Sequence, residues 1–359
     1  MSTEFESRRD QLGEELPGRK LDAIIVSHGP NIRYLTGFSG SNGLLLLSRS
    51  AAVLFTDPRY DIQSRVETSC EVRVARGPLW TALAKSFARK RRKRIGFENS
   101  YISFDAWRLL RELLPPGTLL APAGGLVEQL RMCKSAGEIA LIRDSVRTNS
   151  RAFEQTVRRI RPGVREFELA AELEHRMRRL GAEKPSFDTI VAFGEHTALP
   201  HAQPGPTALV SNQLLLIDMG ASQRGYASDM TRMAFLGRPG TRVKQMYRAV
   251  LDAQLAAIDA VRQDVPAEKV DQAARRVLRK SGLDQAFVHS TGHGLGLEIH
   301  ESPRIGKGDK TPLKAGMVIT IEPGVYIEGF GGIRIEDTIL VTENGCEILT
   351  PTKKELLVV

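Results

Sequence analysis

The sequence predicts an α+β protein in two parts: a small α/β domain over residues 1–125 and a larger domain over residues 126–359 with a repeated, pseudo-symmetric layout. Three observations carry this expectation. Residues 1–125 alternate short apolar runs with amphipathic stretches, the pattern of mixed strands and helices. Chain breakers cluster near the boundary, Pro115-Pro116-Gly117 and then Pro122-Ala123-Gly124-Gly125. Beyond residue 126, a pair of long amphipathic helices followed by a hairpin occurs twice.

In the first part, Leu21–Val26, Gly43–Leu47 and Ala51–Thr56 read as strands, being short, apolar and bounded by turn residues. Trp80–Arg91 and Ser103–Leu114 read as helices, and Ile95–Glu98 as a further strand. In the second part, Gly137–Arg161 is a long amphipathic helix stopped by Pro162-Gly163. Arg165–Leu180 is another, with Gly181 at its C-cap. Val243–Arg262 and Ala267–Lys280 form the second pair, ended by Ser281-Gly282.

Composition narrows the function classes. The chain has 359 residues, 42% of them hydrophobic, enough for one large core or two domains. No apolar run reaches the ~18 residues of a transmembrane helix, and the charged opening stretch after Met1 does not read as a signal peptide. Cys70, Cys133 and Cys346 are odd in number and scattered, which points to a reducing cytoplasm rather than a disulfide framework. The net charge of +9 owes much to Arg89-Lys90-Arg91-Arg92-Lys93-Arg94. Such a run can bind phosphates, but it is more often a solvated helix end, and neither aromatic interleaving nor zinc-finger spacing accompanies it. Neither a nucleic acid nor a membrane is expected as partner.

Chemistry concentrates in residues 218–336. Asp218 ends the apolar run Leu214–Ile217, and Asp229 follows the turn-rich Ser222-Gln223-Arg224-Gly225. A hairpin turning near Gln223 and Arg224 sets these two carboxylates opposite each other on one face. Glu322 and Glu336 end the segments Val318-Ile319-Thr320-Ile321-Glu322 and Gly332-Ile333-Arg334-Ile335-Glu336, which flank Gly329-Phe330-Gly331-Gly332, so a second hairpin repeats the arrangement. His293 joins from a third segment. Four crowded carboxylates repel and cannot all stay ionised without cations. The set therefore describes a dinuclear metal site with a bridging water or hydroxide. Oxygen-dominated ligation with one imidazole and no thiolate suits Mn²⁺, Co²⁺, Fe²⁺ or Zn²⁺. Any one of these acids alone would more often be a solvated or salt-bridged residue.

The same residues carry a family resemblance. Leu216-Ile217-Asp218-Met219-Gly220, Gly225 to Arg232, Gly292-His293-Gly294-Leu295-Gly296, Ile321-Glu322-Pro323-Gly324 and Ile333-Arg334-Ile335-Glu336-Asp337 resemble the pita-bread metallopeptidases of family M24. Within them, the chain is similar to the Xaa-Pro peptidases, aminopeptidase P and prolidase. Asn31 to Phe38 and Thr56-Asp57-Pro58-Arg59-Tyr60 look like the creatinase-type N-terminal domain of those enzymes. The resemblance implies that Asp218 binds one metal, that Asp229 and Glu336 bridge two, and that His293 and Glu322 complete the set. It implies most often Mn²⁺ as the metal, short peptides with proline second as substrates, and a homodimer. Departures stay off the ligands: Met219, Met233, and the Met132-Cys133 pair inside an Arg-x-x-Lys-Ser stretch.

The implied reaction is hydrolysis of the Xaa-Pro bond at peptide N-termini by a metal-bridging hydroxide, an Xaa-Pro aminopeptidase activity. The alternative is an Xaa-Pro dipeptidase (prolidase) restricted to dipeptides. A metal-free creatinase-like amidinohydrolase and a non-enzymatic pita-bread interaction protein rank lower, because such relatives lose the ligands that stand here. Glu322 doubles as acid/base group. His201 and His300, by spacing alone structural histidines, fall where the family places catalytic and substrate-binding imidazoles. His289 is expected to line the substrate pocket. Arg334, two residues from Glu336 on the same strand face, is expected to contact substrate or hold the carboxylates. Nothing in the pattern assigns a role to His28, His175 or His196.

Overall fold

The computed structural model describes residues 4–87 and 93–359. Of the basic run, Arg89 to Arg92 lie outside the described residues, as does the end of the helix expected over Trp80–Arg91. The chain divides into two compact units, Met1–Arg131 and Met132–Val359. The boundary expected at residue 125 falls at the start of the helix Leu126–Met132.

The first unit is built on a six-stranded mixed sheet. Its strand order is Glu71–Val74, Ala51–Thr56, Gly43–Ser48, Ala23–Val26, Arg94–Phe97, Leu119–Pro122. The strand Gly43–Ser48 runs antiparallel to both its neighbours, and the other adjacent pairs are parallel. Ser103 caps the helix Phe104–Leu113 by accepting from Ala106 N. The helix Gly29–Thr36 escapes the sequence reading: Pro30 is tolerated in its first turn, and eight residues show little periodicity.

The second unit follows the repeated layout. The helix Ala136–Thr156 opens on a capping box, with Ser135 and Glu138 satisfying each other's backbone N–H. It packs with the helix Glu166–Arg179. The second pair, Thr241–Asp259 and Ala267–Lys280, packs likewise. The expected helix to Arg161 stops earlier, at Thr156, whose hydroxyl bonds back to the Ala152 carbonyl before a short 3-10 turn.

Each hairpin faces its own helix pair with its apolar side. Leu215, Ile217, Met219, Met230 and Ala234 join Phe153, Leu169, Leu173 and Met177 of the first pair in one core cluster. Ile319, Ile321, Ile339 and Val341 join Val250, Ala253, Val270 and Leu278 of the second pair in another. Successive strand side chains point to opposite faces. Asp218 and Asp229 therefore point away from the first helix pair, and Glu322 and Glu336 away from the second.

Candidate metal centre

Register decides which carboxylates meet. Strand Gln213–Met219 pairs antiparallel with Met230–Leu236, with Asp218 opposite Thr231 and Met219 opposite Met230. The hairpin ends in a two-residue turn at Arg224-Gly225, both with positive φ, as a tight hairpin turn requires. Asp229 thus stands on Asp218's face one diagonal step away rather than directly opposite. In the second hairpin, Ile321 pairs with Asp337 and Gly324 with Arg334. The common register sets Glu322 directly opposite Glu336, at the break between two ladders.

Hydrogen bonds stitch the two hairpins together. Thr231 Oγ1 donates to Glu336 Oε2 at 2.8 Å, and Thr338 Oγ1 donates to the Asp229 carbonyl at 2.9 Å. Glu336 N donates to the Thr231 carbonyl at 3.3 Å. Arg334, 3% exposed, donates from Nη2 to Asp218 Oδ2 at 2.5 Å and from Nε to Thr231 Oγ1 at 3.1 Å.

His293 enters from the short strand Gly292–Gly294, between strands Glu301–Ile305 and Val318–Ile321. Its two flanking glycines are required by close backbone approach: a Cβ on Gly292 would overlap the Thr320 carbonyl oxygen, and one on Gly294 the Ser302 carbonyl. The ring's Nδ1 lies 3.0 Å from the Gly294 carbonyl, which can only accept, so Nδ1 carries the proton. The bare Nε2 points at the carboxylates, 3.4 Å from Glu322 Oε1 and 3.6 Å from Asp229 Oδ2. This is the tautomer a metal-ligating imidazole needs. Thr320 accepts from His293 N at 3.1 Å and its hydroxyl lies 3.4 Å from Glu322 Oε1.

The donor set fits divalent cations. Ligand atoms of Asp229, His293 and Glu336 lie within 4.8 Å of one another. Buried oxygens of three carboxylates, Asp218 Oδ1, Asp229 Oδ1 and Glu336 Oε1, have no hydrogen-bond partner within the protein. An orphaned buried carboxylate oxygen is costly and asks for a positive partner. Protonation responds in the same sense. Burial, then the charges of neighbouring carboxylates, raises Asp229 and Glu336 well above the usual carboxylate range. Burial pushes Glu322 up to about 7.

The remaining predicted side chains converge on the same centre. His300 packs edge-on against His293, with ring centroids 4.4 Å apart. Burial, and then the neighbouring His293 and His201, lowers its pKa and favours the neutral ring. His201 is exposed and close enough to both His289 and His300 to influence their charge. The preceding Pro200 carbonyl accepts from Arg334 Nη1 at 3.2 Å. His289 donates from Nδ1 to the Ser290 carbonyl at 2.8 Å, and its Nε2 lies 2.9 Å from the Tyr326 hydroxyl. That hydroxyl accepts from Arg334 Nη1 at 2.6 Å and therefore donates to His289. Both ring nitrogens are committed, so the ring offers a ligand only its carbon edge. Sequence reasoning missed Tyr326, Thr231 and Thr320. The two threonines had a signal, each lying two residues along the chain from an expected ligand, Thr231 from Asp229 and Thr320 from Glu322.

The fold and this centre define a pita-bread metallopeptidase architecture, and comparison with known proteins agrees. The description "Metallopeptidase family M24" matches residues 140–343, and "Creatinase/Prolidase N-terminal domain" matches residues 8–133. The chain belongs to metallopeptidase family M24. It is 35% identical over 347 residues to an Xaa-Pro dipeptidase of Pyrococcus horikoshii, covering 96% of this chain and 97% of the relative. Among solved structures, an Xaa-Pro dipeptidase from Bacillus anthracis superposes with a TM-score of 0.95 at 34% identity, covering 99% of this chain and 100% of that one. An X-Pro aminopeptidase from Thermotoga maritima gives 0.91 at 36% identity, covering 98% and 100%. Among the described residues, no helix is long and apolar enough to cross a membrane.

Proposed function

We infer that this enzyme hydrolyses the bond between an N-terminal residue and a following proline, using two divalent cations held by Asp218, Asp229, His293, Glu322 and Glu336. The observation that carries this reading is the clustering of Asp229, His293 and Glu336, together with one buried oxygen each on Asp218, Asp229 and Glu336 that has no protein partner. Mn²⁺ is the proposed metal, Co²⁺, Zn²⁺ and Fe²⁺ being compatible with the same donors. When bound, the cations supply a nucleophilic water at neutral pH and polarise the scissile carbonyl.

The chain's own residues do the rest. Glu322 is the most open of the four carboxylates, its side chain 18% exposed against 11% for Asp218 and 7% for Asp229. It accepts the proton of the attacking water and passes it to the leaving prolyl nitrogen, a secondary amine that must be protonated to depart. His201 and His300 donate to the oxyanion that develops on the scissile carbonyl. His289 lines the substrate side through its ring edge. Arg334 holds Asp218 in place and borders the same side.

Whether the enzyme trims longer peptides or accepts only dipeptides depends on the space beyond proline. The Xaa-Pro dipeptidases among its relatives favour dipeptides, while the similarity to an X-Pro aminopeptidase keeps longer peptides in play. A cytoplasmic homodimer is the proposed state; the three cysteines are free, which suits a reducing compartment. The test is hydrolysis of matched Xaa-Pro and Xaa-Pro-Yaa-Zaa peptides by the Mn²⁺-loaded protein. Cleavage of the dipeptide alone means dipeptidase, and cleavage of both means aminopeptidase. Silence on both with metal bound contradicts the substrate class.

A further inference from the structure

The loop that carries His201 is held from behind by a single buried carboxylate. Glu166, in the first turn of the helix Glu166–Arg179, is fully buried. Its Oε1 accepts from Phe193 N and its Oε2 from Gly205 N, both at 2.8 Å. His196 Nδ1 lies 2.9 and 3.0 Å from the two oxygens. These partners bracket His201 in the chain. The backbone repeats the attachment: Glu166 N donates to the Thr207 carbonyl and Phe167 N to the Gly205 carbonyl.

On its other side the loop rests on the metal-site strand Gly331–Arg334. Gly332 N donates to Thr197 Oγ1 at 2.7 Å, and Arg334 donates to the Pro200 carbonyl. A Cβ on Gly332 would overlap the Thr197 carbonyl oxygen, so the fit is close. Residues 193–205 are thus clamped between a buried acid and the strand that leads to Glu336.

We propose that Glu166, with His196, is the positioning residue for His201: it fixes the loop so that the exposed imidazole stands over the substrate carbonyl. The inference deepens the hydrolase reading and rests on it for the role of His201. A carboxylate suits the task chemically. It is acceptor-only, and every group facing it is an N–H donor. The helix N-terminus favours its negative charge. Glutamine must turn its NH₂ toward either Phe193 N or Gly205 N, so this nearly isosteric change breaks the clamp.

The test combines amide hydrogen exchange with kinetics on the Mn²⁺-loaded enzyme, comparing wild type, Glu166→Gln and His196→Asn, the last keeping both backbone attachments in case the first does not fold. Glu166→Gln is expected to speed exchange across residues 193–209 but not in strands 213–219, 230–236 and 318–321, with His196→Asn giving a smaller rise in the same segment. Catalytic efficiency falls roughly 10- to 100-fold, as for a misplaced catalytic group, while Mn²⁺ affinity stays unchanged. In a His201→Ala background, Glu166→Gln adds less than about a two-fold loss, because the two act through one interaction. Undiminished loss in that background, or unchanged exchange in 193–209, overturns the proposal. Should wild type cleave no Xaa-Pro peptide, the hydrolase reading fails, and the exchange result alone supports or overturns the clamp.

Discussion

Asp218 is oriented by a relay of named atoms. Arg334 donates to Asp218 and to the Tyr326 hydroxyl, Tyr326 donates to His289, and His289 donates to the Ser290 carbonyl. Tyr326→Phe leaves His289 Nε2 without its donor and Arg334 Nη1 with only the Pro200 carbonyl. The expected loss is about 1–3 kcal/mol of stability in urea, with a fall in catalytic efficiency; unchanged values would dissolve the relay. His289 also sets an acid limit. Burial first of all lowers its pKa to about 4 in the folded protein, against about 6.5 in an unfolded chain. Above that unfolded value both states are neutral and the group is silent. As pH falls from about 6.5 to 4, only the unfolded chain takes up the proton, so stability drops by up to roughly 3 kcal/mol. Urea titrations between pH 7 and 4 should show a shallower decline for His289→Gln than for wild type; parallel declines would refute the assignment. At this scale two of the proposed ligands, Asp218 and Glu322, were legible because each ends an apolar run, where an acid is out of place; Asp229 and His293 were legible only through the turn and glycine contexts around them. Tyr326 was not, because an aromatic residue on a buried strand looks like ordinary packing.

Two hairpins of different geometry make one centre. The first offers its aspartates diagonally and the second its glutamates face to face. The strand of His293 depends on glycine at both flanks. Gly292→Ala forces a methyl into the Thr320 carbonyl, which backbone alone can relieve. A destabilisation of about 2 kcal/mol or more is expected, with weaker metal affinity by calorimetry. A variant that binds metal like wild type would show that the strand tolerates displacement. Most elements here were readable: the helix Ala267–Lys280 matches its sequence bounds, and the strand Ala51–Thr56 does too. The diagonal offset of Asp218 and Asp229 was not, because the turn slips by one residue to Arg224-Gly225, and register follows turn geometry.

Across the whole molecule, contacts between distant parts of the chain back the candidate metal site. Asp337, next to Glu336 and fully buried, accepts from Arg232 at 2.7 Å, Lys354 at 2.5 Å and Gln254 at 2.8 Å. Arg232 also donates to the Glu336, Thr352 and Lys353 carbonyls, and Tyr247 to the Lys354 carbonyl. The segment that follows pairs Leu357 and Val358 with Ala234 and Phe235. Arg232→Met strips Asp337 of its buried guanidinium partner and should lower stability by about 3–5 kcal/mol in chemical denaturation; a neutral effect would mean that Lys354 alone suffices. The repeated helix-pair-and-hairpin plan was visible in sequence as periodicity. The strap over residues 352–358 was not, since partners more than a hundred residues apart leave no local pattern. We propose that two hairpins and one histidine hold two divalent ions that enable peptide hydrolysis. Calorimetric titration of Mn²⁺ into metal-stripped protein, with Xaa-Pro hydrolysis followed at each step, tests it most directly. Two ions per chain are expected, with activity that rises as they bind and loss of both for Glu336→Ala. A single ion, or full activity without metal, would contradict it.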